Sequence, residues 1–111
     1  MTDNAAELAR REHAARQAIK TGFDMEDEES DAAMFVAFHL EELEAAYWQT
    51  RAGTPRPDPS AVLDMLVLRE HWGEKDDLEV FDFTLPGDVT NYVISVRFDA
   101  KGKVDEISME S

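Results

Sequence analysis

The sequence predicts an α+β fold, three helices followed by a three-stranded antiparallel β-meander. Two observations predict it. Apolar residues recur at helical spacing as far as Trp72, and from Glu79 onward the spacing changes to strict alternation. Gly- and Pro-containing turn sequences separate these segments, and a run of helices followed by a run of strands is the segregated order of the α+β class. All 111 residues are expected in one domain: a peripheral helix over 1–22, two helices joined by a Pro-rich connector over 23–73, and the meander over 78–111. A chain of this length buries roughly two-thirds of its unfolded surface, enough for a core without staples.

The first helix is predicted over 3–21. Thr2 or Asp3 is available as N-cap and Gly22 stands just past the end. Its apolar stripe, Leu8, Ala15 and Ile19, is interrupted by Glu12. This helix is therefore expected to pack only lightly, or against something outside the chain. An acidic connector over 24–31 ends in helix-start chemistry, with Ser30 or Asp31 as cap. The second helix is predicted to run to about Gln49, because Ala32, Phe35, Val36, Leu40, Leu43, Ala46 and Tyr47 fall within about 140° on a helical wheel.

Gly53 closes that helix, and Thr54 to Pro59 carries alternating prolines that favour an extended linker. Asp58 and Pro59 suit the N-cap and first position of a third helix, predicted from about Pro59 to Trp72 and stopped by Gly73. Apolar nearly all round, it is expected to be central. Strands are predicted over 79–85, 91–98 and 103–109. Phe81, Phe83 and Leu85 share one face of the first, and Tyr92, Ile94, Val96 and Phe98 share one face of the second. Pro86-Gly87-Asp88 and Asp99-Ala100-Lys101-Gly102 are the turns.

The formal net charge is −14. Residues 1–22 carry four basic and three acidic side chains, and the remainder carries seven basic and twenty-two acidic ones. Such a field repels phosphate backbones and anionic lipid, so neither direct nucleic-acid binding nor membrane binding is expected. The chain has no cysteine, which excludes disulfides, thiolate-metal sites and cysteine nucleophiles. The opening residues, Met1 to Asn4, have no basic and apolar signal pattern, and no apolar run reaches bilayer length; a cytoplasmic location is expected.

Catalysis and cofactors are not expected. Asp24, Glu26 and Glu28 occupy alternating acidic positions, but a calcium loop would need glycine where Glu29 stands and glutamate where Phe35 stands. His13, His39 and His71 fall one on each predicted helix, without metal-ligand spacing. His39 lies inside the apolar stripe and is expected to be a core histidine bonded to a neighbour. Phosphate-loop, dinucleotide-binding and nucleophile-elbow motifs are absent from the sequence.

The candidate surface is the back of the second helix. Glu41, Glu44 and Trp48 fall within about 60° of one another there, an indole on an acidic strip, and Glu26, Asp27, Glu28 and Glu29 lie in the preceding connector. A tryptophan flanked by charge is a typical interface anchor, suited to a partner rich in Arg and Lys; the alternative is that the first helix or the sheet covers Trp48.

The residues Asn91-Tyr92-Val93-Ile94, Val96, Phe98-Asp99, Gly102 and Ile107-Ser108-Met109-Glu110-Ser111 resemble an uncharacterised bacterial family of small acidic domains that end in such a hairpin. The resemblance covers the C-terminal third and implies no activity. By size and charge these domains resemble immunity proteins. The expected function is a non-enzymatic acidic binding protein of the immunity or inhibitor type, neutralising a basic toxin or another cationic protein. The alternative is a structural or oligomeric accessory domain, with a homo-oligomer formed through the first helix and exposed strand edges.

Overall fold

The computed structural model describes residues 4–23, 30–73 and 78–111. Four helices precede or lead into four strands: α1 (Asn4–Thr21), α2 (Asp31–Glu42), α3 (Ala45–Ala52), α4 (Pro59–Met65), β1 (Val67–Trp72), β2 (Val80–Thr84), β3 (Val93–Phe98) and β4 (Val104–Glu110). The strands form one antiparallel sheet in sequence order. The α+β class stands, with one helix and one strand more than the sequence predicts.

Both extra elements come from splitting a predicted helix. The second helix does not run to Gln49: Leu43 and Glu44 adopt extended backbone, and the chain restarts as α3. Neither residue is a helix breaker. The two extended residues turn α3 so that Trp48 enters the core, where a continuous helix would have left it outside; tertiary packing overrides local propensity here. The third helix stops at Met65, and Val67–Trp72 is a strand. A bulge between Leu68 and Glu70 breaks its alternation, so the short apolar run gives no clean period of two.

Elsewhere local chemistry sets the ends as expected. The Ser30 hydroxyl caps α2 by accepting from the Ala33 N–H at 3.2 Å, while Asp31 reaches across to accept from Met109 N–H on β4. Gly53 ends α3 in the left-handed region at φ 80°. In the β3–β4 turn, Asp99 Oδ1 accepts from the Lys101 and Lys103 N–H groups at 2.8 and 3.0 Å, a side-chain clamp that defines the hairpin.

All four helices lie on one side of the sheet. Phe81, Phe83, Ile94, Val96 and Phe98 project into a core completed by Ala15 and Ile19 of α1, Phe35 and Val36 of α2, Trp48 of α3, and Val62 and Leu63 of α4. Full burial of each phenylalanine contributes roughly 1.5–3 kcal/mol of transfer free energy. The first helix is not lightly packed. Ala15 and Ile19 are buried, and the guanidiniums of Arg11 and Arg16 lie over the rings of Phe98 and Phe83 at 5.5 and 5.0 Å. The same two arginines donate to the Leu78 and Leu66 carbonyls. Long cationic side chains thus do the covering that the thin apolar stripe cannot.

Candidate functional site

Among the described residues no helix lies over the other side of the sheet. It is a groove of about 750 Å³ lined only by the strands and the residues at their ends. The strand register arranges its side chains in rows. One row runs Trp72, Val80, Arg97, Glu106; the next runs Glu70, Asp82, Ser95, Ser108; a third pairs Val93 with Glu110. Val80, Asp82, Val93 and Ser95 are buried although no helix or strand among the described residues covers them. Trp72, on the edge strand, is 44% exposed.

Asp82 sits at the floor, 5% exposed. The Ser95 hydroxyl on the adjacent strand donates to its Oδ1, and among the described residues no cation pairs with it. Burial pushes its carboxyl above the usual range. The Ser95 hydrogen bond and Arg69 oppose that shift, and the charges of Glu70 and Glu110 add to it. Arg69 and Arg97 line the same groove without closing an ion pair among the described residues. Each of the four ion pairs among the described residues is made instead by a basic residue of α1: Arg10 and Arg11 with Glu7, Arg16 with Glu12, and Lys20 with Asp64. The paired arginines hold the Glu7 carboxyl down at about 2.

The sequence-predicted surface is divided by the structure. Glu41 and Glu44 are exposed. Trp48 is 1% exposed, a core residue, because the break at Leu43–Glu44 rotates it inward. Its indole N–H has no hydrogen-bond partner among the described residues. Glu41 and Trp48 do border one shallow groove of about 490 Å³, with Leu40, Leu43 and Pro57, but the indole is not presented as an exposed anchor. Glu26, Asp27, Glu28 and Glu29 lie outside the described residues.

His39 is buried, as expected, and makes two contacts rather than one. Its Nδ1 lies 2.7 Å from the Phe35 carbonyl and its Nε2 lies 2.8 Å from the Thr90 hydroxyl. A carbonyl only accepts, so Nδ1 carries the proton and Nε2 accepts from Thr90. The Thr90 oxygen in turn accepts from the Tyr92 N–H, which ties α2 to the β2–β3 connection. Burial holds the imidazole below its ordinary value against the opposing Phe35 bond. His71 belongs to a strand, not a helix, and stacks on Phe81 on the core side.

Trp72, Asp82 and Ser95 were not singled out by the sequence. The signal was available: Asp82 stands between Phe81 and Phe83, and Ser95 between Ile94 and Val96, so alternation alone puts both on the outer face. Trp72 carried no such signal, being assigned to a helix. Among the described residues no group of three or more acidic or histidine side chains could hold a metal ion, and no helix is long and apolar enough to cross a membrane. No known family model, curated protein or solved structure matches this chain. The groove offers a desolvated carboxylate, unpaired charges of both signs and an exposed indole.

Proposed function

We propose that the chain is a non-enzymatic, cytoplasmic binding protein that holds a basic protein partner against the open face of its sheet, in the manner of an immunity or inhibitor protein neutralising a cationic toxin. The single observation that carries this reading is the helix-free groove, where unpaired charges surround a buried carboxylate beside an exposed tryptophan. Tryptophan is enriched among residues that dominate binding energy. Charges that form no ion pair among the described residues are free to pair across an interface. The net charge of −14 supports the sign of the partner and would steer its approach. The same charge disfavours nucleic acid and anionic lipid as direct partners.

The test is capture from native cells with three forms of the chain. Wild type is expected to retain a basic protein. Reversal of the groove charges (Glu70→Lys with Glu110→Lys) is expected to lose it, and reversal on the helix surface (Glu41→Lys with Glu44→Lys) is expected to keep it. The opposite pattern would return the site to the helices. Self-association is the second reading, supported by exposed Val67 and Trp72 on the edge strand β1. Light scattering that shows a monomer at low and high salt would remove it.

A further inference from the structure

The groove has one place where a ligand's charge is specified by the protein's interior. Asp82 is a carboxylate at the bottom of an open cavity, with one oxygen held by Ser95 and, among the described residues, no ion-pair partner, Arg69 acting on it only through its longer-range charge. A buried charge without a partner is costly, and the chain carries two candidates on the same face, Arg69 and Arg97, neither of which closes on it. The Ser95 hydroxyl fixes the orientation of the carboxylate. Among the described residues its second oxygen accepts no hydrogen bond, which leaves it for a donor that arrives from the open side.

The neighbouring positions say what kind of donor. Glu70 is the direct cross-strand partner of Asp82, and Trp72 is the partner of Val80, two residues along. Trp72 and Asp82 are therefore diagonal neighbours on one face, about 7–8 Å apart between their backbones. A planar cation that hydrogen-bonds Asp82 lies within the roughly 6 Å reach of the indole face. Glu110, opposite Val93, adds a further carboxylate to the field at Asp82. A guanidinium meets all three demands: it donates in a fork to a carboxylate, it stacks on an aromatic face, and it loses its hydration more readily than an ammonium.

We infer that Asp82, with Ser95 behind it and Trp72 beside it, is the anchor pocket for an arginine side chain of the basic protein partner. This rests on the reading of the open face as the docking surface and names the chemistry it recognises. Asp82 makes the charged hydrogen bond, Trp72 covers the guanidinium plane, and Glu70 and Glu110 set the field that favours entry.

The probe is N-acetyl-arginine N-methylamide, titrated into the full chain and followed by ¹H–¹⁵N correlation spectra. Saturable shifts are expected at Asp82, Ser95 and the Trp72 indole N–H, with a dissociation constant on the order of millimolar, as befits a single side chain. Asp82→Asn keeps an acceptor for Ser95 and is expected to weaken the probe by roughly tenfold or more. Trp72→Ala, at an exposed site, is expected to weaken it by about two- to fivefold. The citrulline analogue, equal in shape and uncharged, is expected to give no saturation. Equal affinity for the lysine analogue, saturation at the same residues by magnesium ion, or arginine shifts unchanged in both variants would overturn the assignment. The two readings fail separately. If Glu70→Lys with Glu110→Lys abolishes capture of the protein partner while the arginine probe does not bind, the docking face stands and the arginine pocket falls. If capture survives that reversal, the docking face falls.

Discussion

The two faces of the sheet are built from the same strands and meet opposite demands. On the covered face Phe81, Phe83, Ile94, Val96 and Phe98 pack against four helices, and the cations that cross that side, those of α1, are spent on Glu7, Glu12, Asp64 and backbone carbonyls. On the open face Asp82, Ser95, Arg97 and Glu106 alternate with them along the same strands, and the charges stay apart. The two tryptophans divide in the same way. Trp48 is in the core and Trp72 is at the surface. The covered face pairs its cations within the fold, and among the described residues the charges of the open face close no ion pair. Polar chemistry concentrated on one side of a sheet is ordinary for a solvated face. A nearly buried carboxylate in the middle of that side, with no ion-pair partner among the described residues, is not, and it is the feature on which the proposed binding role rests.

Substitution of the two tryptophans gives the largest contrast. Trp48→Ala empties a site in the core and is expected to destabilise the chain by about 3–5 kcal/mol in urea unfolding. Trp72→Ala is expected to cost less than about 0.5 kcal/mol. Equal costs would break the distinction between the faces. Trp48→Phe sharpens it: the smaller ring gives up volume but also removes an indole N–H that has no partner among the described residues, so its cost is expected to fall well below that of alanine.

A smaller effect tests the covered side by pH. Burial lowers the His39 pKa in the folded chain, so the unfolded chain takes up its proton first as pH falls. The stability from neutral His39 is full above the unfolded value of about 6.5 and is lost progressively below it, with a slope of at most about 1.4 kcal/mol per pH unit. Thermal unfolding between pH 7.5 and 5 checks this, and His39→Gln is expected to remove the slope. The open side has the reverse sign. Burial raises the Asp82 pKa, so the folded chain protonates first, and the resulting stability is present below the unfolded carboxylate range and lost as pH rises through the folded value. Asp82→Asn, which carries no charge to desolvate, is therefore expected to raise Tm at pH 7 by roughly a few degrees, with the gain shrinking toward pH 4. A variant that melts lower than wild type at pH 7 would mean that the carboxylate is a structural strut and not a ligand-facing group.

Much of this division is legible in the sequence. The alternation in 79–85 and 91–98, and the Asp99–Gly102 turn, place three strands, and the same alternation already separates Phe81 from Asp82 and Ile94 from Ser95. What is not legible depends on long-range packing. Leu43 and Glu44 carry no breaking residue, so the rotation that buries Trp48 is decided by the core it enters. Leu66 to Trp72 reads equally as helix or strand because the bulge at Arg69 breaks its period, and that ambiguity hid Trp72. From the sequence Trp48 could be an exposed anchor or a covered residue; the structure buries it, and the exposed indole is that of Trp72. The arginines of α1 also pack over Phe98 and Phe83, beside a thin apolar stripe whose Ala15 and Ile19 are buried within the chain.

The most direct test of the central claim labels the chain with 5-fluorotryptophan. Its two tryptophans then give two ¹⁹F resonances whose shift between H₂O and D₂O reports exposure. In the free chain the Trp72 signal is predicted to respond to solvent and the Trp48 signal is not. On addition of the basic protein captured from native cells, the Trp72 signal is predicted to move and lose its solvent response while Trp48 stays in place. A complex in which Trp72 keeps its free shift and its solvent response would contradict the assignment of the open face as the binding surface.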